Sequence, residues 1–147
     1  MKLVTSSEKK EVIEKLENQF GIKNLNYLFL RFGKDKIRIY SGNFSRDEIK
    51  ILDKSIRIEN AGLYFARVQS DGIRLTIDGV QLIKEQITKN VLEINDDEAE
   101  KWLKGNDLTI KTDRAFKVIK NKSEFLGCGK STGDKITNFV PKERRIK

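Results

Sequence analysis

A chain of 147 residues with 37% hydrophobic side chains, 35% charged side chains and a formal charge of +8 has apolar mass for a modest core, and no apolar run approaches the ~20 residues of a membrane span. A single cysteine excludes an internal disulfide, and the absence of histidine removes the commonest general base and metal ligand. With an opening, MKLVTSSEKK, that lacks the apolar stretch of a signal peptide, these totals lead to the expectation of a cytoplasmic protein without a membrane partner.

In chain order, Thr5 and Glu8 have capping-box spacing ahead of Val12, Ile13, Leu16 and Phe20, which predicts a helix over 6–19 closed by Gly21. YLFLRF and KIRIYS read as strands joined through Gly33 and Asp35. Ser45 and Glu48 repeat the capping signal before IKIL. RIENAG, LYFARV and IRLTI carry strand residues between the turn signals Asn60-Ala61-Gly62 and Asp71-Gly72, and VQLIKEQI reads as a short helix. NVLEI is then a strand, and DDEAEKWLKG a three-turn helix with Asp96 and Asp97 as caps. DLTI, AFKVIK, EFLGCGK and KITNFV follow as short strands suited to a small β-barrel with the helix over one opening. The predicted class is α+β: a mixed α/β unit over 1–88, then a barrel over 89–147, the two in contact because no linker composition separates them.

The charge is unevenly spread. Residues 111–147 hold eleven Lys or Arg against four acids, a net +7, and the other 110 residues contribute +1. An excess gathered at one end favours a polyanionic partner, nucleic acid ahead of a membrane surface.

The string GKST fails as a nucleotide loop, because Glu124 stands where the first glycine belongs and a turn and strand follow in place of a helix. Gly127-Cys128-Gly129 is only a fragment of a dinucleotide fingerprint, better read as a bulge or close backbone approach. Cys128 lacks an activating base and is expected to be structural. Without histidine, and with no spaced carboxylate pattern, neither a metal nor another cofactor is expected. What remains is the end of the chain. On KITNFV, Lys135, Thr137 and Phe139 share one face, and Ile136, Asn138 and Val140 the other. Pro141 then stops the strand ahead of Lys142, Arg144 and Arg145. The cations suit phosphates and Asn138 suits a base edge or sugar; Phe139 is expected in the core, although a stacking role fits its type.

These residues carry a resemblance. The run Leu126-Gly127-Cys128-Gly129-Lys130, the turn at Gly133, the run from Ile136 to Lys142 with Arg145, and the helix residues Asp97-Glu98-Ala99 and Trp102-Leu103-Lys104-Gly105 resemble the C-terminal PUA-like domain of Sun/Fmu-type ribosomal RNA cytosine-5 methyltransferases. Cys128 stands where that family often has Trp, and Thr137 where it has Lys. The catalytic domain of those enzymes has no counterpart here, and the whole chain is similar to small archaeal ribosome-biogenesis proteins of that family and, more distantly, of the Nip-seven type. The resemblance implies a non-catalytic RNA-binding protein acting on ribosomal RNA or its precursor, with Lys104, Lys130, Lys135, Asn138, Lys142, Arg144 and Arg145 as candidate contacts. A protein-interaction adaptor that docks onto a ribosome-assembly or methyltransferase complex through exposed Tyr27, Phe29, Tyr64 or Phe65 is the alternative.

Overall fold

The Thr5 hydroxyl accepts a hydrogen bond from the Glu8 amide at 3.1 Å and so starts the first helix. In the computed structural model, which describes residues 1–42, 44–55 and 62–147, this helix, α1 (Ser6–Phe20), ends at Gly21. There a left-handed backbone (φ 82°) points the amide at the Glu17 carbonyl. Val12, Leu16 and Phe20 form its buried stripe.

The helix packs on an antiparallel sheet whose strands lie side by side in chain order, β1 (Lys2–Leu3), β2 (Leu28–Phe32), β3 (Lys36–Tyr40), β4 (Leu63–Gln69) and β5 (Gly72–Leu75). Alternation decides which face each strand buries: Ile37 and Ile39 point inward while Lys36 stays exposed. Between β3 and β4, Ser45 and Glu48 exchange the two hydrogen bonds of a capping box and open α2 (Arg46–Ser55). The expected strand character of RIENAG falls almost wholly on 57–61, outside the described residues.

Two expected boundaries move for the same reason. Thr76 donates its hydroxyl to the Tyr64 carbonyl at 2.6 Å and accepts from the Gly79 amide at 2.9 Å, so the strand IRLTI stops at Leu75 and the chain turns directly into α3 (Ile77–Ile83). The later residues of VQLIKEQI add only a 3-10 turn, Lys84–Gln86.

The second sheet has the order β6 (Val91–Glu93), β7 (Ala115–Asn121), β8 (Glu124–Ser131) and β9 (Ile136–Thr137), with β6 and β7 parallel and the other neighbours antiparallel. It curls into a half-barrel of the PUA-like kind, with α4 (Asp96–Leu103) between β6 and β7 in the chain. The cap of α4 is Asn95, not Asp96 or Asp97. Its side chain accepts from the Glu98 amide at 2.8 Å, and Glu98 answers the Asn95 amide at 3.0 Å. Asp96 instead accepts from Asn121 and Lys122, which hold its carboxyl below the usual range. We expect Asn95→Ala to lower the unfolding free energy by about 1 kcal/mol in a denaturant titration, and Asp97→Ala to change it little. DLTI contributes one isolated bridge, Leu108 to Ile136. KITNFV is a strand only over Ile136–Thr137, because Asp107 and Asn138 draw the backbone out of the ladder.

Two apolar clusters organise this half. Trp102, fully buried, centres a small one with Leu108, Ile119, Ile136 and Val140. Its indole N–H donates to the Leu126 carbonyl at 2.9 Å. The larger cluster runs across residues 88 and 89: Phe116, Val118 and Cys128 pack with Phe20, Phe29 and Phe65. A polar bracket reinforces that contact. The ammonium of Lys117, only 7% exposed, reaches Asn90 at 3.0 Å and Asp113 at 2.7 Å. Asn90 donates to the Gln19 carbonyl at 2.6 Å, and the Gln19 side chain is doubly bonded to the Ile73 backbone. The halves are therefore joined by packing and by hydrogen bonds that leave no buried ammonium unpaired.

Candidate nucleic-acid interface

Of the seven residues proposed from the sequence, Lys104, Lys135, Asn138 and Arg145 gather around residues 102–107 at the end of α4, while Lys130 and Arg144 reach carboxylates of the first half. Lys104 follows α4 and pairs with Glu100 at 3.0 Å. Lys130, on β8, is bonded to Asp71 in the β4–β5 turn and lies in a groove with Arg114, Phe116 and Thr132. Lys135 pairs with Asp107 at 3.3 Å, and Arg144 with Asp78 at 2.9 Å. Arg145 donates through Nε to the Val140 carbonyl at 3.0 Å, its guanidinium occupying the space left by the missing side chain of Gly105. Of the four carboxylates, Asp71 and Asp78 come from the first half of the chain, where sequence reading saw only turn and cap residues.

Asn138 is a brace. Its amide donates to the Trp102 and Asn106 carbonyls at 2.8 and 2.9 Å, and its oxygen accepts from the Val140 amide at 2.7 Å. With both amide hydrogens and one lone pair of the oxygen so occupied, it fixes the turn that carries the tail. The tail then folds back, the Ile146 amide reaching Leu103 at 3.0 Å.

Among the described residues, six cations of the last 37 make no ion pair: Lys111, Arg114, Lys120, Lys142, Arg145 and Lys147. Only Lys142 and Arg145 of these belonged to the expected set. The missed ones, Lys111, Arg114, Lys120 and Lys147, were visible only as members of a basic segment, since nothing local says which lysine will meet a distant aspartate. Asp71 titrates below its usual range because Lys130 donates to it, with desolvation opposing. Its ionised form is favoured by folding, so the pair holds at neutral pH and loosens only as pH falls through that lowered value.

Phe139 is half-buried and not in the core as expected. It lines a cleft of about 250 Å³ between β4, β5 and α3 on one side and α4, β8 and the tail on the other. The Arg74 guanidinium stands over its ring at 4.2 Å. Arg74 was passed over in the sequence because it alternates with Ile73 and Leu75 as an ordinary outward strand residue.

Cys128 is 4% exposed, and burial pushes its thiol up to about 12. A thiol held protonated through the physiological range is no nucleophile. Among the described residues no three His, Cys, Asp or Glu side chains gather as metal ligands, and no helix is long and apolar enough to cross a membrane. Of the aromatics considered as an exposed docking surface, Phe29 and Phe65 are 1% and 0% exposed and belong to the core, while Tyr27 and Tyr64 are half-buried.

Residues 89–146 match the family described as the methyltransferase RsmF PUA domain. Over more of its length the chain is similar to proteins named ribosomal RNA small subunit methyltransferase F. That of Aeromonas salmonicida is 23% identical over 140 residues, covering 94% of this chain and 28% of that protein. That of Shewanella piezotolerans is 26% identical over 138 residues, covering 90% and 27%, and that of Psychromonas ingrahamii 23% over 146 residues, covering 95% and 29%. The chain thus spans under a third of the length of these curated relatives.

Proposed function

We propose that this chain binds ribosomal RNA or its precursor in the setting of ribosomal RNA modification or ribosome assembly, and carries out no chemistry of its own. The observation that supports the reading most is the coincidence of two features: residues 89–146 match a PUA domain of a ribosomal RNA methyltransferase, and residues 111–147 hold +7 of the chain's net charge of +8, with six of their eleven cations making no ion pair to the described residues. Uncommitted ammonium and guanidinium groups on a folded surface release counterions from a sugar-phosphate chain, whereas those already paired must first give up an aspartate. The buried, protonated Cys128 supports the non-catalytic part. We take 1–88 as the unit that supports and partly masks this surface and 89–147 as the unit that presents it, with ribosome-assembly or methyltransferase proteins as further partners.

The test is a salt titration of binding to ribosomal RNA fragments. If the six uncommitted cations each neutralise one phosphate, log affinity falls against log salt with a slope of about −4 to −5. A slope near zero is incompatible with the reading.

The masked cations give a second expectation with the opposite sign to most substitutions. Asp71→Asn and Asp78→Asn release Lys130 and Arg144 from their pairs. Each is expected to raise RNA affinity about three- to fivefold at 0.1 M salt and to steepen the slope by about one phosphate's worth. Filter binding with the single variants and the pair decides it.

A further inference from the structure

We infer that the cleft between the two halves takes one unpaired guanine of a bound RNA strand; this deepens the RNA-binding reading and rests on it. Three observations lead there.

The first is an uncommitted donor. Arg74 is half-buried, lies on the Phe139 ring at 4.2 Å, and its side chain makes no hydrogen bond or ion pair to the described residues. Its planar fork is held in place by stacking while its N–H groups remain unspent. The other arginine of this cleft, Arg144, is tied to Asp78.

The second is an uncommitted acceptor. Glu143 lines the cleft and makes no hydrogen bond or ion pair among the described residues. Asp78, the remaining carboxylate there, is held by Arg144. The cleft thus carries both signs, which disfavours a bare phosphate and suits a neutral ring with acceptors on one edge and donors on another. Guanine has that arrangement: O6 and N7 suit the arginine fork, and N1–H and the exocyclic amino group suit a carboxylate. Adenine presents a donor beside N7 and opposes the fork. Uracil interposes its N3–H between its two carbonyls, and cytosine, although its O2 and N3 acceptors lie side by side, has no paired donors to offer the carboxylate.

The third is the shape and lining between these groups. At about 250 Å³, with Tyr64, Ile77, Leu126 and Phe139 on its walls, the cleft offers flat apolar surface to a ring that has left its stack. Gly127 keeps it open, since a side chain there would press on Ile77 at 3.1 Å. A protein side chain would gain the same walls but leave the fork and the carboxylate unpaired.

The full chain provides its own reporter. Trp102 is the only tryptophan, lines the cleft floor, and donates its indole N–H to Leu126, so a nitrogen-proton spectrum contains one indole signal at the site. The probes are short single-stranded uridine oligonucleotides carrying one central guanosine, adenosine or cytidine, with binding followed in parallel by anisotropy of an attached dye. The guanosine oligonucleotide is expected to bind best and to move the indole signal. Arg74→Ala and, as a charge-preserving second variant, Arg74→Lys are expected to weaken it about tenfold and to abolish its advantage over adenosine. Equal binding of all oligonucleotides with a stationary indole signal overturns the cleft assignment and leaves RNA binding intact. So does binding of a ribosomal RNA fragment by a chain that ignores the oligonucleotides. Failure of both the fragment and the oligonucleotides overturns the two readings together.

Discussion

Substituting Lys111, Arg114, Lys142 and Arg145 together by Gln is expected to lower affinity for ribosomal RNA fragments by about three orders of magnitude at 0.1 M salt. Each released phosphate contact is worth about 0.7 to 0.9 of a logarithmic unit at that concentration. All four side chains are exposed and free of carboxylate partners among the described residues, so the fold should survive the change. The control removes the same charge elsewhere. Gln at Lys10, Lys15, Lys23 and Lys34, equally exposed but in the first half, should cost less than about tenfold through the general field alone. Equal losses from the two sets would mean that net charge, not a surface in the PUA-like half, holds the RNA. Gel-shift titrations of the two variants side by side make the measurement.

The largest effect on stability is expected at Trp102. Truncation to Ala empties the centre of the smaller cluster and strands the Leu126 carbonyl that its indole satisfied, for a loss of about 3 to 5 kcal/mol. Against a total of about 5 to 15 kcal/mol for an ordinary domain, that approaches unfolding. Gly129 shows how closely the space is filled: an added Cβ would stand 2.6 Å from the indole and 2.7 Å from Ile136. Gly129→Ala is therefore expected to destabilise by overpacking what Trp102→Ala destabilises by emptying, and the double variant to lose less than the sum. Urea unfolding of the three proteins gives the coupling directly.

The elements that could be read in advance are those whose cause is local. The helix from Thr5 to Gly21, the hairpin through Gly33 and the capping box at Ser45 each depend on residues within a few positions, and the sequence displays both partners at once. Boundaries set by distant partners could not be read. Thr76 ends a strand because Tyr64 accepts its hydroxyl, and Asp96 is no cap because Asn121 and Lys122 claim it. The candidate interface suffered most from this. Charge can be counted in one dimension, but pairing is decided in three, so Lys130 and Arg144 looked as available as Lys142 until Asp71 and Asp78 arrived from the other half. Asn138 looked like a base reader because it is a polar residue in a basic strand; its three backbone bonds are invisible without the turn that it builds. Arg74 had the reverse fate, an unremarked strand position that folding laid on Phe139.

The apolar cluster that crosses residues 88 and 89 bears on how such a domain can be inherited or borrowed. A half-barrel lifted out on its own would turn the Phe116, Val118 and Cys128 side chains into open water, and would leave Asn90, the anchor of the Lys117 ammonium at 3.0 Å, without the Gln19 carbonyl that holds it. Anyone grafting this half-barrel onto another protein would need to carry the preceding α/β layer along as its lining, so the transplantable piece is larger than the segment that displays the recognisable motif.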